Sequence, residues 1–181
     1  MNLLASKAQL RASLLRWALF LVPLTVLLGF LAGRLGGSPN SAWFVGLAKP
    51  EIYPEPYVFG LVWTVLYIMI GFSAALVASA WGAFGRGLAM GLFAFHFILN
   101  LAWTPVFFGM QNILGGLAVI ALVDITLIAV VWAFWRVRRS AGMLLLPYLA
   151  WVLFASVLNY QFHVENPDGG HGGPPAERIE L

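Results

Sequence analysis

Five runs of about twenty apolar residues, separated by short polar breaks, cover most of the chain: 17–33, 57–81, 88–108, 113–135 and 143–162. At a rise of about 1.5 Å per residue, each is long enough to cross the roughly 30 Å hydrocarbon layer of a bilayer as a helix. A helix satisfies its own backbone hydrogen bonds, which lipid cannot do. A β-barrel would need polar and apolar residues alternating along each strand, and no run shows that alternation. The pattern predicts an all-α integral membrane protein, a five-transmembrane-helix bundle over residues 1–163.

Polar and aromatic residues interrupt these runs at helical spacing. The second run carries Trp63, Thr64 and Tyr67, with Trp63 and Tyr67 four apart on one face. In the third, His96, Asn100 and Trp103 stand at i, i+4 and i+7, and Pro105 removes a backbone bond near its end. The fifth places Tyr148, Trp151, Ala155 and Asn159 along another single stripe. Packing alone accounts for many such stripes, and a lone histidine is more often an interhelical hydrogen-bonding group than a haem ligand. Interhelical asparagine bonds contribute only about 0.6–2 kcal/mol in membranes. Three stripes on three helices nonetheless predict a shared inward face. The fourth run holds Asp124 near its midpoint. An acid there costs about 2.5–3.5 kcal/mol on the insertion scale and by default marks function, although bonding between helices accounts for it equally well.

The connection over residues 34–56 is the long one, and it contains "GGSPNSAWFVGLAKPEIYPEP". Its aromatics predict a folded lid over one end of the bundle, and Pro50, Pro54 and Pro56 forbid a regular helix in its second half. Residues 164–181, rich in Gly, Pro and charge, read as a mobile polar tail. Basic residues divide unevenly between the two sides. Lys7, Arg11, Arg16, Arg86, Arg136, Arg138 and Arg139 fall on one side, and Arg34, Lys49 and Arg178 on the other. The positive-inside rule then puts the N-terminus inside, in a cell membrane.

Composition agrees with the bilayer. Hydrophobic residues make up 61% and charged residues 9%, against about 25% charged in soluble domains. No cysteine is present, so disulfides and thiolate metal sites are excluded. The net charge of +3 is too dispersed to indicate nucleic acid. No metalloprotease, P-loop or nucleophile-elbow motif occurs, so no catalytic residue, metal site or required cofactor is expected. What remains is a concave apolar site suited to a flat hydrophobic ligand. A small-residue strip, Ala83, Gly87 and Gly91, offers a close-approach surface for a homodimer.

The segments "WFVGLAKP", "VFGLVWTVLY", "LNLAWTPVFFG", "ALVD" and "LLLPYLAWVLFASVLNY", in this order over roughly residues 43–160, resemble the TspO/translocator protein family of tryptophan-rich sensory proteins, also called peripheral benzodiazepine receptors. The resemblance implies a five-helix bundle, often dimeric, with a pocket under the first loop. It implies ligands such as porphyrin, haem, cholesterol, and isoquinoline or benzodiazepine-type compounds. Phe44 would cap the pocket, and Trp63, Asn100, Trp151 and Ala155 would line it. Three functions follow as expectations: a receptor or carrier for porphyrin or haem, a proton-coupled exporter using Asp124, and a light-dependent porphyrin-degrading enzyme. Two departures stand out. Ile52 occupies the tryptophan position of the family's KPxW loop motif, and no Lys or Arg follows Tyr160 to complete a cholesterol pattern.

Overall fold

The computed structural model describes residues 6–170. Helix α1 spans Lys7–Leu35, α2 Ala42–Gly46, α3 Pro56–Ala78, α4 Arg86–Thr104, α5 Ile113–Val137, α6 Arg139–Leu144 and α7 Leu146–Glu165. Among the described residues, five spans are long and apolar enough to cross a membrane: α1, α3, α4 with its terminal turn, α5, and the α6–α7 run.

Each boundary has a local cause. α1 starts ten residues before the apolar run 17–33, because Ser6 and Gln9 form a reciprocal cap. The Gln9 N–H donates to Ser6 Oγ at 3.2 Å and the Ser6 N–H to Gln9 Oε1 at 2.8 Å. Hydropathy finds only the part of a helix that lipid must surround. α3 stops at Ala78, short of the expected 81, where Arg86 Nε donates to the Ala78 carbonyl at 2.9 Å. The same guanidinium lies 4.2 Å from the Trp81 ring centroid, in the turn that follows. Asn112 opens α5 by accepting the Gly115 N–H at 2.7 Å. The expected run 143–162 is split at Leu145, since Pro147 has no N–H to give the Met143 carbonyl.

Around the bundle, α1 packs on α3, α3 meets α7, α7 lies against α5, α5 against α4, and α4 returns to α1. α6 wedges between α3 and α5. The ring is solid at one end only. There α3 residues Ile70, Ala74 and Val77 meet Val130 and Phe134 of α5, with Ala141 and Leu145, all buried. At the other end the first half of α3 is only partly covered, and a separate cluster of Phe44, Leu47, Phe107, Ile113, Leu158 and Phe162 closes over it. The bundle is therefore open between floor and lid.

The lid is built from α2 and the Pro-rich segment behind it. Ser41 caps α2 by accepting the Phe44 N–H at 3.2 Å. The expected tail 164–181 begins otherwise than its composition suggests: α7 continues to Glu165, and residues 166–170 dock on the lid. Asn166 grips Ala48 twice, accepting its N–H at 2.9 Å and donating to its carbonyl at 3.1 Å. Trp43 Nε1 donates to the Gly169 carbonyl at 3.0 Å. A polar side chain that can satisfy both backbone groups of one residue holds a segment that composition alone marks as loose. The remainder, 171–181, lies outside the described residues.

Candidate functional site

Between floor and lid lies a cavity of about 480 Å³, inside the range of roughly 300–1,000 Å³ usual for small-molecule sites. α3 contributes Phe59, Trp63 and Tyr67, which lie on one face at successive turns. α7 contributes Trp151, Ala155 and Asn159, and α4 contributes Asn100, Trp103 and Thr104. From the lid come Phe44 and Tyr53, and α1 supplies Gly29, Gly33 and, at the mouth, Arg34.

The rings are held by one another. Trp63 stacks on Tyr67 with centroids 5.2 Å apart, and Trp103 on Phe107 at 4.9 Å. Phe59 meets Trp151 edge-on at 5.8 Å. Such pairs contribute about 0.5–1.5 kcal/mol each beyond the area they bury. Phe107 and Phe108 reach the cavity because of Pro105. Without a proline N–H the helix widens into a π-turn over Pro105–Gly109, in which the Met110 N–H donates to the Pro105 carbonyl at 2.8 Å. Gly29 leaves room for the Tyr67 ring, which would stand only 2.2 Å from a Cβ there.

Few polar groups face this space. Trp103 Nε1 donates to Asn159 Oδ1 at 3.1 Å, and Asn159 Nδ2 donates to the Ile113 carbonyl at 3.1 Å, so that pair ties α4 to α7 and α5. The Tyr67 hydroxyl donates to Asn100 Oδ1 over a long 3.4 Å. Asn100 Nδ2 has no hydrogen-bond partner among the described residues, although it borders the cavity. Lys49 donates to the Phe44 carbonyl and, at 3.0 Å, to that of Leu47, while its ammonium lies 4.4 Å from the Phe44 ring centroid. Desolvation in the lid pushes the Lys49 ammonium below its ordinary pKa and the Tyr53 phenol above its own. Tyr53 therefore stays neutral across the physiological range.

Of the expected pocket residues, the structure brings Phe44, Trp63, Tyr67, Asn100, Trp103, Trp151 and Ala155 to the cavity wall. His96 and Tyr148 are not there. Both lie 1% exposed beneath the floor. The Thr126 hydroxyl donates to the Leu122 carbonyl at 2.8 Å, so its oxygen accepts the His96 Nδ1–H at 2.9 Å. His96 Nε2 then accepts the Tyr148 hydroxyl at 2.9 Å. Every polar atom of the imidazole is used, and none is left for a ligand. Helical spacing gave the right side of each helix but not the depth along it.

Asp124 also lies off the cavity wall. It is half-buried on the α5–α7 seam, where Ser156 Oγ donates to Asp124 Oδ2 at 2.7 Å. Gly87 and Gly91 face outward from α4, with nothing within 4 Å of a Cβ at either. Ala83 belongs to the turn before α4 and so does not continue that strip as a helical face. Among the described residues no cluster of metal-ligating side chains occurs.

Residues 21–164 match the TspO/MBR family. The chain belongs to the TspO/MBR family. It is 39% identical over 147 residues to a tryptophan-rich protein TspO of Chlorobaculum tepidum, covering 81% of this chain and 93% of that one. It is 37% identical over 151 residues to a tryptophan-rich sensory protein of Cereibacter sphaeroides, with coverage of 80% and 89%. It is 35% identical over 146 residues to the human translocator protein, with coverage of 80% and 86%. In this TspO/MBR chain the aromatic that the KPEIYP segment brings to the cavity is Tyr53, packed on Phe44 at 6.1 Å and Phe59 at 5.4 Å, whereas Ile52 beside it is exposed. The sequence marked Tyr53 as one of the lid aromatics without assigning it to the cavity, and Phe59, Phe107, Phe108 and Arg34 were not among the expected pocket residues. Phe59 had a signal, four residues before Trp63, and Phe107 had the same one, four residues after Trp103; Phe108 had none, because the widened turn breaks the 3.6-residue phase.

Proposed function

We propose that this TspO/MBR protein is a membrane receptor or carrier that binds a flat hydrophobic ligand, a porphyrin or haem, between Trp63, Trp103 and Trp151 under the Phe44–Tyr53 lid. The observation that carries this reading is the hollow itself: rings from α3, α4, α7 and the lid border one space instead of filling it. Stacking on indoles and phenyls suits a planar π-system, and the free Asn100 amide offers one donor to an acceptor on it. The names of the relatives, sensory in one case and translocator in another, agree with a ligand-handling role.

Among the described residues, the cavity wall contains no imidazole. Metal-free porphyrin and haem are thus held by the same stacking, and porphyrin needs no iron ligand. Titration of the purified protein with protoporphyrin should quench its tryptophan fluorescence saturably. The double variant Trp151→Leu with Asn100→Ala should weaken that binding about tenfold, since it removes one stacking ring and one hydrogen bond. Overlapping titration curves would remove the proposal. By contrast, His96→Leu should leave porphyrin and haem affinity within about twofold. It should still lower stability by about 1–3 kcal/mol, because the Tyr148 hydroxyl loses its acceptor in the core. Thermal unfolding and titration of the same sample separate the two effects.

We place the chain in a cell membrane with its N-terminus inside, from the seven-to-three distribution of Lys and Arg between the two ends. A homodimer would form through the outward Gly87 and Gly91 strip. The Asp124–Ser156 clasp on the α5–α7 seam gives no support to proton-coupled export, since neither side chain borders the ligand space.

A further inference from the structure

We propose that Arg34 selects the ligand by charge: its guanidinium pairs with an acidic group on the bound molecule at the cavity mouth, so that acidic flat ligands are preferred over their neutral counterparts. This rests on the reading of the cavity as a ligand site and names the chemistry that site selects.

Among the described residues, Arg34 is the one charged residue on the cavity wall, and no acid stands there with it. It lies in the last turn of α1, with Gly33 beside it on the same wall, so no side chain separates that part of the helix backbone from the hollow. The guanidinium sits 5.2 Å from the ring centroid of Phe30, itself a wall residue, which holds the planar cation along the rim. Its side chain makes no hydrogen bond among the described residues, unlike Lys49, whose ammonium is spent on lid carbonyls.

The inner end repeats this bias. The Asn100 amide nitrogen, on the cavity wall, is a donor without an acceptor among the described residues. Unpaired donors, Arg34 and Asn100, thus stand at both ends of an apolar hollow. A molecule that satisfies them carries an anionic acceptor at one end and neutral acceptors within its ring system. A carboxylate is the natural partner of the guanidinium fork, which it meets with two parallel bonds.

Protoporphyrin IX and its dimethyl ester share one macrocycle and differ in charge, so the pair isolates the contribution of Arg34. Both would be titrated into the full-length protein in uncharged detergent. The wild type should bind the diacid about tenfold more tightly, a modest factor because Arg34 is solvated. In Arg34→Gln the preference should fall to within about twofold through loss of diacid affinity alone, and Arg34→Lys should restore part of it. Equal binding of the two by the wild type, or a preference that survives Arg34→Gln, overturns the assignment while leaving the cavity reading intact. Saturable binding of neither overturns the cavity reading and this inference with it. Repeating the pair in phosphatidylcholine and phosphatidylglycerol nanodiscs distinguishes the source of the anion. A preference present in the first and abolished in the second means that Arg34 serves a lipid headgroup, and the assignment to the ligand falls.

Discussion

Ala155→Phe should abolish porphyrin binding while leaving the protein as stable as the wild type or more so. Ala155 is on the cavity wall between Trp151 and Asn159, one α7 turn from each. A phenyl group there enters space that a planar ligand needs. The loss should reach about a hundredfold in Kd, close to 3 kcal/mol. In an ordinary core, adding a ring costs about 1–3 kcal/mol through strain. Here the ring would meet a void bordered by Phe59, Trp63 and Trp151 and would gain dispersion contacts that the wild type lacks. The two effects are read on one sample: fluorescence titration for binding, and thermal unfolding for stability. Ala155→Val should fall between, scaled to its smaller volume. If Ala155→Phe binds porphyrin as the wild type does, the ligand sits elsewhere. If the variant unfolds, the space was already filled.

That opposite movement of affinity and stability separates a binding cavity from a packing defect. It also shows what the sequence could reveal. Hydropathy placed five spans to within a few residues at most ends, because lipid imposes a length that composition must satisfy. Where a helix continues past lipid, as α1 does from Lys7, capping chemistry at Ser6 and Gln9 sets the end and hydropathy is silent. Periodicity placed Trp63, Asn100, Trp103, Trp151 and Ala155 on one inner face, since azimuth around a helix follows from spacing alone.

Depth does not follow from spacing. His96 is one turn from Asn100 and shares its face, yet that turn takes it below the floor into the bonds with Thr126 and Tyr148. Tyr148 relates to Trp151 in the same way. Whether a stripe residue lines a hollow or underlies it depends on where neighbouring helices converge. That is a property of the α3–α5–α6 contact and of no single helix. The lid shows a third limit. Asn166 clamps Ala48 from 118 residues away, and no local pattern announces a pairing at that separation.

The convergence of α1 and α3 is itself testable, through the glycine that permits it. Gly71→Ala should destabilise the protein by about 1–3 kcal/mol, although alanine is the better helix former by up to about 1 kcal/mol. A Cβ on Gly71 would stand 2.7 Å from the Val22 Cα and 2.9 Å from the Leu21 carbonyl oxygen, with Thr25 Oγ1 at 2.5 Å. Two of these three atoms belong to backbone and cannot rotate aside, so the helices must separate. Separation strains the Thr25 hydroxyl, which lies 2.9 Å from the Tyr67 carbonyl and bridges α1 to α3. It also shifts Gly29 against the Tyr67 ring and so reaches the cavity wall. Gly60→Ala, on the same helix, provides the control: nothing lies within 4 Å of a Cβ there, so propensity acts alone and stability should rise slightly. Opposite signs for one chemical change on one helix, measured by thermal unfolding in the same detergent, would establish the close approach. A Gly71→Ala protein as stable as the wild type would mean that α1 does not seat there, and the wall that carries Gly33 and Arg34 would have to be redrawn.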